Sequence, residues 1–232
     1  MAKHASNAFL AMSISFINEI AELCEPLGAD VLEVARVLKL DRRIGKNAFL
    51  SPGLGFAGGT LGREIRALQK FGSKHRTSTF LMDAVWEINV RRYQLVGRKL
   101  ASVLGSLQGQ QIGILGLTYK AGTSTMRRAI SLDIVRDLVE KGATVTAYDP
   151  LANIGEVLNP PPMQLCSDPF EAARGCGALV LITEWADIAS LDLGRLKVQM
   201  KGDVFLDTRN LLDPARAVEA GFRYFGIGRS FS

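Results

Sequence analysis

Gln111-Ile-Gly-Ile-Leu-Gly-Leu117 is a short apolar run that reads as a β-strand. Beyond Leu117 the pattern repeats. A helical stretch over residues 131–140 ends at Gly142, and Ala143-Thr-Val-Thr-Ala-Tyr148 supplies the next strand. Ala178-Leu-Val-Leu-Ile-Thr183 and Asp203-Val-Phe-Leu-Asp207 give two more, with helical segments near residues 169–174 and 191–200 between them. Strands alternating with helices form a βαβ series, which predicts an α/β domain built on a doubly wound, Rossmann-like parallel sheet. Asn159-Pro-Pro-Pro162 is a surface loop within it.

Upstream the period becomes helical. Phe9, Met12, Phe16, Ile20 and Leu23 fall on one helical stripe, and Gly28 offers a stop. Asp30 with Glu33 reads as a capping box for a second helix through Leu38. Ser51-Pro-Gly-Leu-Gly-Phe-Ala-Gly-Gly59 is a glycine-dense loop feeding a third helix that ends near Gly72. A long helix is predicted over residues 78–104, with Leu81, Val85, Ile88, Val96, Leu100 and Val103 along one stripe and Gly105 closing it. The expected organisation is an all-helical domain over residues 1–107 and the sheet domain over 108–232, without internal repeats. The two main helical stripes offer more apolar surface than a small bundle can bury, which predicts a homodimer through this half.

The formal net charge of +5 and pI near 9.2 come from Lys and Arg scattered among almost as many carboxylates, with Arg91-Arg92 and Arg127-Arg128 only doublets. That argues against nucleic acid and suits a small anionic ligand such as a nucleotide diphosphate. Cys24, Cys166 and Cys176 are odd in number and lack CxxC spacing, so free thiols in a reducing cytoplasm are expected, with no metal site. Neither a signal peptide nor a membrane span is expected.

In a doubly wound sheet, ligands sit at the carboxyl ends of the strands. The loop after the first strand carries Gly113 and Gly116 but not the tight GxGxxG turn of a dinucleotide site, and its long extension bears Lys120 and Arg127. It serves either as an arm supplying cations to a ligand or as a purely structural turn. Asp149 lacks the fingerprint that would make it a ribose ligand, and a turn role with Pro150 is expected. The glycines after Pro52 free backbone N–H groups to face a ligand just before a helix N-terminus. Lys3 and Asn7, at i and i+4, share one helix face.

Taken together these segments resemble the UDP-glucose/GDP-mannose dehydrogenase family over essentially the entire chain. Lys3-His-Ala-Ser-Asn7 with Ile14-Ser-Phe-Ile-Asn-Glu-Ile20 is similar to the opening of its central helical domain, and Arg43-Ile-Gly45 with residues 52–59 to its substrate loop. Gly116-Leu-Thr-Tyr-Lys120, Met126-Arg127, Ala147-Tyr-Asp-Pro150, Thr183-Glu-Trp185, Asp207-Thr-Arg-Asn210 and the closing residues 221–229 resemble its UDP-binding domain. The resemblance implies NAD-dependent oxidation of a nucleotide sugar at C6, through an aldehyde and a cysteine thioester, to a uronic acid. It matches Lys3 and Asn7 to residues that polarise the C6 oxygen and place water. Ser51, Pro52, Gly53, Leu54, Gly55, Phe56 and Ala57 match the sugar-nucleotide cradle, and Arg43 matches an arginine reaching the neighbouring subunit's substrate. Tyr119, Lys120 and Arg209 match further substrate contacts, and Arg127 a cofactor contact.

Two departures qualify that inheritance. The family's NAD domain, which would precede Lys3, is not in this chain. Where the family has Gly-Gly-Ser-Cys-Phe-Pro-Lys-Asp, alignment puts Thr60 on the nucleophile and Glu64 on the aspartate. A thiol titrates near pH 8.5 whereas an alcohol stays protonated without a strong base, so Thr60 is a poor substitute. Three readings are open: an impaired homologue that retains sugar-nucleotide binding, a non-catalytic partner of a complete dehydrogenase, or one half of a split enzyme.

Overall fold

The structure, a computed structural model, describes residues 1–57 and 59–229. It divides into two compact units, one comprising Met1–Arg92 with the tail from Ile227, the other Tyr93–Gly226.

The helical unit begins with α1 (Ala2–Leu27), followed by α2 (Val31–Leu40), α3 (Leu61–His75) and α4 (Phe80–Arg91). The packed face of α1 is not the predicted stripe. It consists of small residues, Ala8, Ala11, Ser15 and Ala21, with Ile17 and Asn18 among them. Small side chains let α3 and α4 approach closely, and Phe56, Ile65 and Val85 fill the core against them. Phe9, Phe16 and Leu23 remain 63%, 46% and 54% exposed. Asp30 caps α2 through the Leu32 N–H at 2.8 Å, but Glu33 turns to Arg36 at 2.6 Å, so the reciprocal half of the expected capping box is not made.

The helix predicted over residues 78–104 is in fact α4, a 3-10 turn at Arg92–Gln94, and α5 (Leu95–Leu104), which falls in the other unit. The turn tightens where the Arg92 side chain is drawn inside to the Gly53 carbonyl. The third helix runs past Gly72 to His75. The tail returns to the helical unit: Gly228 N–H reaches Glu25 at 2.8 Å, and Arg229 pairs with Asp30 at 2.9 Å.

The second unit is the expected parallel sheet, with six strands rather than the four predicted. These are β1 (Gln111–Leu115), β2 (Thr144–Tyr148), β3 (Gln164–Leu165), β4 (Ala178–Leu181), β5 (Val204–Asp207) and β6 (Arg223–Phe225), in the order β3-β2-β1-β4-β5-β6. Ile112 pairs with Val145 on one side and Ala178 on the other, so the register runs straight across the centre. β4 and β5 are buried along their whole length, as strands covered on both faces must be. The flanking helices are α6 (Ile130–Glu140), α7 (Pro169–Ala173), α8 (Ala186–Ala189), α9 (Leu193–Gln199) and α10 (Pro214–Glu219). Among the described residues no helix is long and apolar enough to cross a membrane, and no group of three His, Cys, Asp or Glu side chains is placed to hold a metal.

Candidate functional site

The strand order reverses between β1 and β4, and the chain spends its polar side chains there. Gly116 leaves β1 at φ +93° with its α-carbon so close to β4 that an added Cβ would lie 2.6 Å from the Thr183 nitrogen. Only glycine satisfies both constraints. Thr183 Oγ1 then donates to the Thr118 carbonyl at 2.9 Å, joining the two strand ends.

Asp149, at the end of β2, is the hub of this rim. Its Oδ2 accepts the Leu117 and Thr118 N–H groups at 2.7 and 2.9 Å, the Thr118 hydroxyl at 2.9 Å and the Trp185 indole N–H at 3.0 Å. Oδ1 accepts the Leu151 N–H at 2.9 Å, which is the turn role the sequence suggested. Burial alone would raise its pKa, but the donated hydrogen bonds outweigh burial and hold the carboxyl below its ordinary value. Asp207 acts similarly after β5, accepting the N–H groups of Arg209, Leu211 and Leu212 and the Tyr224 hydroxyl.

On this scaffold Tyr119 and Lys120 are exposed, and Met126 anchors the far end of the loop in the interior. Arg209 lies half-buried after β5, its Nε 2.8 Å from the Ile182 carbonyl and 2.8 Å from Glu184. The rim thus presents Lys120 exposed on the loop and Arg209 held after β5. Arg127 is exposed on the same loop. Residues 116–129 separate β1 from α6, in place of the tight glycine turn of a dinucleotide fingerprint.

In the helical unit, Lys3 is exposed on the first turn of α1 and Asn7 half-buried one turn on. Thr60 is exposed at the head of α3 and makes no side-chain cap. Glu64, one turn further, is 4% exposed and bonded to His4 Nδ1, with Arg63 at 3.4 Å. The His4 bond lowers the Glu64 pKa against the opposing effect of burial. This contact brings the first turns of α1 and α3 together. No local pattern marks His4, because its partner is sixty residues away.

The glycine loop is less open than its composition implied. Pro52, Gly53, Leu54 and Phe56 are buried, Gly55 and Ala57 are half-buried, and Ser51 is exposed. Two of its N–H groups are already taken, Gly53 by Asn18 at 2.8 Å and Phe56 by Asn89 at 2.7 Å. Gly58 lies outside the described residues. Arg43 is 89% exposed at its side chain and pairs with Asp41 at 2.6 Å beside a 550 Å³ cavity that Phe9, Ser13 and Lys46 also line. Burial raises the pKa of each cysteine, which keeps the thiols protonated.

The profile for the central domain of the UDP-glucose/GDP-mannose dehydrogenase family matches residues 1–91, and the profile for the same family's UDP binding domain matches residues 113–214. A UDP-glucose 6-dehydrogenase of Rhizobium meliloti is 42% identical over 230 residues, covering 98% of this chain and 52% of the relative. That of Pseudomonas aeruginosa is 37% identical, covering 98% of this chain and 51% of the relative. A solved UDP-glucose dehydrogenase from Pyrobaculum islandicum superposes with a TM-score of 0.86 at 31% identity, over 99% of this chain and 50% of that one. The chain spans about half the length of the curated relatives it matches. With both profiles falling in order on the two structural units, the chain belongs to the UDP-glucose/GDP-mannose dehydrogenase family.

Proposed function

We propose that this chain is the sugar-nucleotide-binding part of a nucleotide-sugar 6-dehydrogenase, and that it does not oxidise the sugar by itself. The observation that carries the reading is the rim of the sheet, with Lys120 exposed on the loop that Asp149 fixes after β1 and Arg209, held by Glu184, after β5. A cation pair on a rigid base suits a diphosphate, with Arg209 supplying directional donors and Lys120 a mobile charge. Tyr119 adds a ring at the same rim.

NAD is the hydride acceptor this reading implies, and the loop after β1 lacks the GxGxxG turn that would hold its pyrophosphate. Holding a cofactor against C6 contributes about 7–11 kcal/mol in well-oriented cases, and none of the six strands leads into a dinucleotide fingerprint to supply that hold. Thr60 at the position of the thiol removes the thioester stage as well. Lys3 and Asn7 keep the residue types that polarise an oxygen and place water, and Glu64 keeps a carboxylate one turn from Thr60. The purified chain, given UDP-glucose and NAD, should form no NADH, and Thr60→Cys alone should stay inert. Steady NADH formation that Lys3→Ala abolishes overturns this reading.

A second reading is favoured by the exposed Phe9, Phe16 and Leu23 stripe, which continues into a 750 Å³ apolar groove lined by Met1, Phe71 and Phe80. The helical unit then forms a homodimer or pairs with a complete dehydrogenase subunit, giving Arg43 a substrate across the interface. Sedimentation at micromolar concentration showing only monomer removes the homodimer.

A further inference from the structure

The glycine loop is held from beneath by side chains that no motif singles out. Asn89 on α4 accepts the Phe56 N–H and returns Nδ2 to the Phe56 carbonyl at 3.0 Å. Arg92, only 1% exposed, donates Nε to the Gly53 carbonyl at 3.0 Å and Nη1 to Glu22 at 2.8 Å. Asn18 on α1, also 1% exposed, accepts the Gly53 N–H. Gly55 passes so close above Asn89 that an added Cβ would lie 2.4 Å from its Oδ1.

These bonds fix peptide planes. The Gly53 N–H and carbonyl belong to the planes on either side of Gly53, and the Phe56 N–H and carbonyl to those on either side of Phe56. A trans peptide points its N–H opposite to its carbonyl. Holding the Gly53 carbonyl therefore turns the Leu54 N–H away from Arg92, and holding the Phe56 carbonyl turns the Ala57 N–H away from Asn89. Neither of those N–H groups has a partner among the described residues. Apolar packing of Leu54 and Phe56 would hold the loop's side chains but not the direction of its amides.

We propose that Asn18, Asn89 and Arg92 are positioning residues that set the loop's free amides for the nucleotide sugar before it binds. This rests on the reading of residues 51–57 as part of the sugar-nucleotide site. A glycine-dense loop left to order itself on binding would lose affinity to conformational entropy, and the clamp removes that loss in advance.

The test is amide exchange at Gly53 and Phe56 in the ligand-free chain, together with UDP-glucose affinity by calorimetry, in wild type, Asn89→Leu, Asn18→Leu and Asn18→Asp. The wild type should protect both amides. Asn89→Leu should expose Phe56 and weaken UDP-glucose by at least about tenfold while the sheet amides exchange as before. Asn18→Leu should expose Gly53, and Asn18→Asp, which keeps the acceptor, should restore both protection and affinity; this pair decides the matter if Asn89→Leu does not fold. A folded leucine variant that binds as tightly as wild type overturns the proposal, as do unprotected Gly53 and Phe56 amides in the wild type. A wild type with protected amides that binds no nucleotide sugar overturns the functional reading while leaving the clamp intact.

Discussion

Asp149→Ala should unfold the sheet unit's rim at a cost that can be worked from its bonds. The substitution leaves the Leu117 and Thr118 N–H groups and the Trp185 indole N–H without their acceptor, and frees the Thr118 hydroxyl. A buried donor left unsatisfied costs about 1–3 kcal/mol, and because Asp149 is half-buried, water recovers part of that, so the total is about 3–5 kcal/mol. Asp149→Asn keeps the shape and one acceptor and should cost less than half as much. The pH dependence comes from the depressed pKa. The stability Asp149 contributes is fully present above its ordinary value of 3.8 and is lost as the pH falls through the lower folded value. The assay is urea unfolding at pH 7 followed by Trp185 fluorescence in a Trp86→Phe background, since the chain has only those two tryptophans. A loss below about 1 kcal/mol for Asp149→Ala would refute the hub, because that is less than one unsatisfied donor.

Gly116→Ala should destabilise the same unit by about 3 kcal/mol or more, since the new methyl meets the Thr183 backbone at a φ of +93°; near-wild-type urea midpoints would contradict the close approach. His4→Phe should flatten the acid limb of the helical unit's stability. Glu64 is held below 4.5 first by the His4 bond, so its contribution stands above that pH and is lost as the pH falls through the lower folded value. Unfolding at pH 3 and pH 6 that loses equal stability in wild type and variant would count against the pair. Lys120→Ala should weaken UDP-glucose by about 1.5–3 kcal/mol, the scale of a charge-assisted hydrogen bond, read by calorimetry; an unchanged affinity would place the diphosphate elsewhere.

The central strands were legible because parallel strands covered on both faces are continuous apolar runs, as in Ile112 to Leu115 and Ala178 to Leu181. β3 and β6 escaped notice because they are two and three residues long and open on polar Gln164 and Arg223. The break at Arg92 was invisible for a different reason. It coincides with the bond from Arg92 to Gly53, thirty-nine residues away, and no Pro lies nearby to signal it. The face of α1 misled in the same way, since the core took the small side chains and left the phenylalanines outside. Of the candidate site, Lys120, Arg209 and the glycine loop were readable as motifs. Asn18, Asn89, Arg92 and His4 act on partners far along the chain, as does Asp149 beyond its turn bond to Leu151, and nothing in their immediate neighbours announces those distant bonds.

The proposed function turns on the chain's recognising a uridine sugar nucleotide and not the dinucleotide. Titration calorimetry of the unmodified chain with UDP, UDP-glucose, GDP-mannose and NAD decides between them. UDP and UDP-glucose should both bind, with NAD weaker than either. Tight NAD binding with no response to UDP or UDP-glucose would contradict that recognition.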